Sequence, residues 1–115
     1  MGHRLRLSGP ANEDIRSIWE YTRSTYDYQQ AIAYSELVEQ AIRDVVADPE
    51  RPSSIPRPDL GAGVRSYHIE LSKHRSGTGI KSPRHVIVYA LRRAGEVYIL
   101  RIVHDRMNLR HQPLE

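Results

Sequence analysis

The sequence predicts an α+β fold in which an N-terminal strand leads into an antiparallel helical hairpin, packed on a curled sheet whose last three strands are antiparallel. Three observations carry that reading. Two successive stretches repeat apolar residues at helical spacing. Two C-terminal stretches are rich in β-branched and aromatic residues over strand-like lengths, and a Pro- and Gly-rich segment precedes the later strands. The 115 residues suffice for one domain with its own core, expected to span 1–115. Leu114 and Glu115 look like the scar of a C-terminal tag and are given no role.

In residues 3–8, Arg4 and Arg6 alternate with Leu5 and Leu7, the period of a half-buried strand. Ser8-Gly9-Pro10 then ends the strand and opens a helix. Proline is tolerated in a first turn, and Glu13 and Asp14 lie near the positive end of the helix dipole. Ile15, Ile18, Trp19, Thr22 and Tyr26 share one face of that helix. Asp27 caps a second helix with Ala31, Tyr34, Leu37, Val38, Ala41, Ile42, Val45 and Val46 at helical spacing, and Asp48-Pro49 stops it. So short a linker doubles the helices back on each other. Residues 49–63 hold Pro49, Pro52, Pro56, Pro58, Gly61 and Gly63, which predicts an ordered crossing loop with neither helix nor strand. Alternation resumes over residues 64–71, a predicted strand. Residues 72–83 are predicted to be a mobile basic loop, too polar to pack. Residues 84–92 and 96–104 are predicted strands joined by a hairpin turn at Arg93-Ala94-Gly95-Glu96.

The formal net charge of +3 conceals a division. Residues 1–50 hold five arginines and nine acids, whereas residues 51–115 hold twelve Lys/Arg and five acids. Between Arg65 and Arg93, the cations Arg65, Lys73, Arg75, Lys81, Arg84, Arg92 and Arg93 are opposed only by Glu70. That stretch suits a polyanion or an acidic protein, or is a solvated basic face. The lack of cysteine excludes disulfides, thiolate metal sites and cysteine nucleophiles, and fits the cytoplasm, the expected location. No apolar stretch approaches the length of a membrane span, and the N-terminal residues lack the apolar region of a signal peptide. His3, His68, His74, His85, His104 and His111 show no metal-ligand spacing. Gly61-Ala62-Gly63 and Gly77-Thr78-Gly79 lack the strand-to-helix context of phosphate loops, and no serine sits in a nucleophile elbow. No metal and no cofactor are expected.

A metal-free ribonuclease needs a general base, a general acid and cations around a phosphate, and His104, Glu70, Tyr98, Arg101 and Arg106 have that chemistry. Their spacing does not show convergence, and scattered surface charge accounts for them without a site. Arg101 stands apart because it interrupts an apolar strand on the side of Val97, Ile99 and Val103, so it must reach an acid, a carbonyl or solvent. Two readings stay open: a sheet face left wet by the helices, or a partner's carboxylate or phosphate.

Five blocks in order carry a resemblance over nearly the whole chain. They are Leu7-Ser8-Gly9-Pro10-Ala11, Asp14-Ile15-Arg16-Ser17-Ile18-Trp19-Glu20-Tyr21, residues 57–67, Arg84-His85-Val86-Ile87-Val88-Tyr89 and residues 99–108. With them the sequence resembles the ParE branch of the RelE/ParE toxins of bacterial type II toxin–antitoxin systems. The resemblance implies a small toxin fold neutralised by a ParD-like antitoxin whose C-terminal segment wraps on it, in a hetero-oligomer. It implies inhibition of DNA gyrase by binding, with no catalytic residue and no direct nucleic-acid binding by the toxin alone. Arg101, His104, Arg106 and Met107, with Arg65 and His85 from neighbouring strands, are then the candidates for target contact. Trp19, Tyr21, Arg65 and Arg84 are the candidates for antitoxin contact. Residues 72–83 form a longer connection than the family's, and Asp105 and Asn108 stand where glycine and aspartate are usual. A ribosome-dependent mRNA endonuclease of the RelE type and a non-toxic antitoxin-binding module are the alternatives on the same fold.

Overall fold

The computed structural model describes residues 3–93, 95–107 and 109. In chain order it contains β1 (Arg4–Leu7), α1 (Gly9–Thr25), α2 (Tyr28–Ala47), β2 (Ile55–Pro56) and β3 (Val64–His68). A 3-10 turn (Ile69–Ser72), α3 (Lys73–Ser76), β4 (His85–Arg92) and β5 (Glu96–His104) follow. The sheet runs β1-β5-β4-β3-β2, with β1 parallel to β5 and the other neighbours antiparallel.

Both long helices begin where their caps predict. Ser8 Oγ accepts the Ala11 amide at 3.0 Å and donates to the Leu100 carbonyl at 2.7 Å, so the residue that starts α1 also ties it to β5. Asp27 Oδ1 accepts the Gln30 amide at 2.7 Å at the start of α2. The helical hairpin covers one sheet face, where Leu37, Ala41 and Val45 pack with Tyr67, Ile87, Tyr89, Val97, Ile99 and Ile102. Full burial of each large apolar side chain there stabilises the fold by roughly 1.5–3 kcal/mol. On the opposite face a smaller cluster of Val64, Val88, Ala90, Leu100 and Val103 is covered by Leu60 and Leu109. The register slips between Val88, paired with Arg101, and Tyr89, paired with Ile99, which leaves Leu100 as the extra residue of a bulge.

Several expectations are corrected. Residues 49–63 do contain a strand, the two-residue β2, whose Pro56 is tolerated because β2 is the sheet's edge. The strand predicted over residues 64–71 stops at His68 and continues as the 3-10 turn, which leaves Leu71 exposed. Residues 72–83 are not an unpacked loop. They include α3, and Ser72, Ile80 and Pro83 are buried. The cause lies on α2: Asp44 accepts the Ser72 hydroxyl at 2.5 Å, Ser72 Oγ accepts the Tyr67 hydroxyl at 2.8 Å, and Ile80 joins the main core. Lys73 Nζ closes the segment on the Lys81 carbonyl at 2.8 Å. At the β4–β5 turn Arg93 and Gly95 have φ of 41° and 85°, while Ala94, like Asn108, His111, Leu114 and Glu115, lies outside the described residues.

Candidate functional site

The outer part of α1, the start of α2, residues 79–82 and the ends of β4 and β5 enclose an open cleft of about 800 Å³. Its apolar lining comes from Ile18, Tyr21, Tyr26, Ile80 and Met107, and its polar lining from Asp14, Lys81, Arg84, His85, Arg101 and His104. Tyr21, Tyr26 and Met107 are 64%, 65% and 46% exposed, an unusual display of large apolar groups around one concavity.

Two sets of candidates that share only Arg65 in the sequence meet here. Arg101, His104, Met107 and His85 from the target set line the cleft together with Tyr21 and Arg84 from the antitoxin set. Arg65, Arg106 and Trp19 do not line it. Arg65 is tied down on Ser54, donating to its Oγ at 2.8 Å and its carbonyl at 3.3 Å. Trp19 sits edge-to-face on Tyr28 at 5.8 Å, and Arg106 is exposed on the turn after β5. Of the five residues with ribonuclease chemistry, only Arg101 and His104 line the cleft. Glu70 is exposed on the 3-10 turn, and Tyr98 packs on the opposite sheet face with the Arg6 and Arg92 guanidinium groups 5.5 and 4.7 Å from its ring.

Arg101 satisfies neither of the two readings left open by the sequence. Its Nε and Nη2 donate to Asp14 of α1 at 2.7 and 3.0 Å, and the same carboxylate accepts the Ile102 amide at 2.9 Å. The pair is largely shielded, with side-chain exposures of 12% and 15%. Asp14 was placed by the sequence at a helix dipole. Its position one turn into α1 lets it cross to the β5 bulge instead, and the paired guanidinium is held above the usual arginine range by that hydrogen bond.

Beside it lies a histidine cluster built by strand register. His85 and His104 are cross-strand partners, with ring centroids 5.6 Å apart. Tyr34 of α2 accepts the Arg84 amide at 3.0 Å and lies 2.7 Å from His85 Nδ1, so every donor is satisfied when the phenol donates to that nitrogen. Burial first, and the neighbouring His104 second, push the His85 pKa down to about 4. Asp105, where the family resemblance leads one to expect glycine, lies 3.1 Å from His68 Nε2 and 3.3 Å from Arg84 Nε. The His68 hydrogen bond, aided by Arg84, lowers its pKa.

A pH dependence follows from His85. The unfolded chain binds a proton near pH 6.5 that the folded ring refuses until about pH 4, so stability falls as pH is lowered between those values. Urea midpoints measured from pH 7 to 4 will show this slope, and His85→Gln will flatten it. A midpoint that does not fall over this range contradicts the neutral, sequestered ring.

Of the residues that build the cleft, sequence reasoning missed Asp14, Tyr26 and Tyr34 as site residues, because apolar periodicity and dipole logic had already accounted for all three. Among the described residues no group of three His, Cys, Asp or Glu side chains is disposed to hold a metal, and no helix is long and apolar enough to cross a membrane.

Comparison with known proteins agrees with the fold. The chain resembles a solved structure described as the chromosomal ParDE toxin–antitoxin system from P. aeruginosa, with a TM-score of 0.65 at 15% identity over 89% of this chain and 95% of that one. A search of curated protein sequences gives no match. The profile of the ParE toxin of type II toxin–antitoxin systems, parDE, matches residues 5–109. With its strand order, helical hairpin and nearly full-length profile match, the chain belongs to the ParE toxin family of type II toxin–antitoxin systems.

Proposed function

We propose that this toxin acts by binding, with DNA gyrase as its target, and that an acidic amphipathic segment of its antitoxin occupies the cleft. The observation that carries the second statement is the cleft's lining. Tyr21, Tyr26 and Met107 offer exposed apolar area, and Lys81, together with an Arg84 already shared with Asp105, supplies positive charge at its rim. An apolar face flanked by acids fits both, as in helix-in-groove recognition. His85, His104 and Met107, candidates for target contact, line the same cleft, so a segment seated there covers them and neutralisation follows from occlusion. A binding mode also suits Arg101, whose charge is already matched by Asp14.

Purified toxin is expected to abolish supercoiling by gyrase and to leave mRNA on translating ribosomes uncut. Codon-specific cuts with intact supercoiling would reverse the assignment in favour of an endonuclease. Normal growth at high toxin level without antitoxin would reduce the protein to an inert binding module. For the cleft, the double variant Tyr21→Ala, Tyr26→Ala is expected to weaken antitoxin binding at least about tenfold, roughly 1.4 kcal/mol, because buried tyrosines anchor interfaces. Calorimetric titration will check this, and unchanged affinity would place the antitoxin elsewhere.

A further inference from the structure

We propose that His85 and His104 together form a two-donor oxyanion site that seats one carboxylate of the segment lying in the cleft. This rests on the reading of the cleft as the docking groove.

The hydrogen bonds favour the Nε2–H tautomer in both rings. The Arg106 amide donates to His104 Nδ1 at 3.2 Å, so in the neutral ring that nitrogen is an acceptor and the proton sits on Nε2. The Tyr34 hydroxyl fixes His85 in the same way. His68 is the internal control: its Nδ1 accepts the Glu70 amide at 3.1 Å, and its Nε2–H is used on Asp105 at 3.1 Å. The Nε2–H groups of His85 and His104 have no such acceptor among the described residues, and neither is sealed from solvent in the way His3 Nδ1 is. Both rings line the cleft with centroids 5.6 Å apart, near enough for one carboxylate to be shared between them.

The surroundings favour a carboxylate over a phosphate. Tyr34 faces the pair from α2, the Asp14–Arg101 pair from α1 and β5, His68 from β3, Arg84 and Asp105 from the strand ends, and Lys81 from the rim. Asp105 lies 3.4 Å from His104 Nδ1, so a dianionic phosphate meets repulsion that a single negative charge meets less strongly. A partner's acidic side chain entering an aromatic cleft needs donors, since an unpaired buried carboxylate is costly. Two neutral imidazoles supply them. A seated anion also stabilises protonated His85, so the complex takes up protons and affinity rises as pH falls.

Long-range proton–nitrogen NMR of the imidazoles of the whole toxin, titrated with acetate and separately with inorganic phosphate, tests the site directly. Both rings are expected as Nε2–H tautomers, and acetate is expected to shift the His85 and His104 signals and to raise the His85 pKa while sparing His74. An Nδ1–H tautomer in either ring, an equal response from His74, or tighter binding of phosphate would overturn the carboxylate site. In the toxin–antitoxin complex, His104→Leu is expected to weaken binding about tenfold and reduce its pH dependence, whereas His104→Gln, which keeps an N–H donor, stays within about threefold. If Tyr21→Ala with Tyr26→Ala leaves affinity intact, the docking groove itself is wrong. If the tyrosines matter and His104→Leu does not, only the oxyanion site falls.

Discussion

Replacing Asp14 by alanine is expected to destabilise the toxin by about 3 kcal/mol and to lower its melting temperature by roughly 10 °C. The carboxylate accepts two bonds from Arg101 and one from the Ile102 amide, and the variant leaves all three donors without it in a largely shielded place. Removing the other partner is milder. Arg101→Met keeps the stem's packing and leaves Asp14 on the Ile102 amide, so a cost of about 2 kcal/mol is expected. The double variant is expected to cost less than the two singles added together, because each single strands a charge that the double removes. Urea denaturation of the four proteins measures this coupling. A loss below about 1 kcal/mol for Asp14→Ala would mean that the α1–β5 seam does not depend on the pair.

Asp44→Ala is expected to cost a similar amount, about 3 kcal/mol, with a different signature. Asp44 is 4% exposed and accepts the Ser72 hydroxyl at 2.5 Å and the Gln40 amide at 3.0 Å, with Arg75 Nη1 further off at 3.5 Å. Without it the Ser72 and Tyr67 hydroxyls lose the acceptor that ends their chain, and residues 72–83 lose their anchor to α2. Trypsin is therefore expected to cut the variant after Lys73, Arg75 or Lys81 well before the rest of the chain. Asp44→Asn, which retains an acceptor oxygen, is expected to cost about 1 kcal/mol and to stay resistant. Equal digestion of wild type and Asp44→Ala would show that Ile80 and Pro83 alone hold the segment.

What the sequence reveals here is whatever short-range chemistry decides. Ser8 and Asp27 mark their helices because an N-cap bonds an amide three residues away, and β5 is readable from composition because both of its faces are apolar. The misjudged segment, residues 72–83, is ordered by an acid 28 residues upstream, which no local polarity count detects. Arg101 is the sharper case. Its oddity is visible in the strand, but its partner is 87 residues away on a helix face that periodicity does not assign to contacts with the sheet. The candidate site was legible as a set of residue types. Its gathering around one cleft depends on the His85–His104 register and on the bulge at Leu100, and these are properties of the assembled sheet.

The parallel pairing of residues 4–7 with residues 96–99 sets a timetable for the molecule's birth. As the polypeptide emerges from the ribosome, the helical hairpin can condense early, but β1 has no neighbour until the final hairpin has cleared the exit tunnel. The ends of β4 and β5 complete the cleft at the same late moment. A nascent chain therefore carries neither its parallel strand pair nor its finished cleft until residues 96–104 have emerged, and whatever binds the cleft meets it only then.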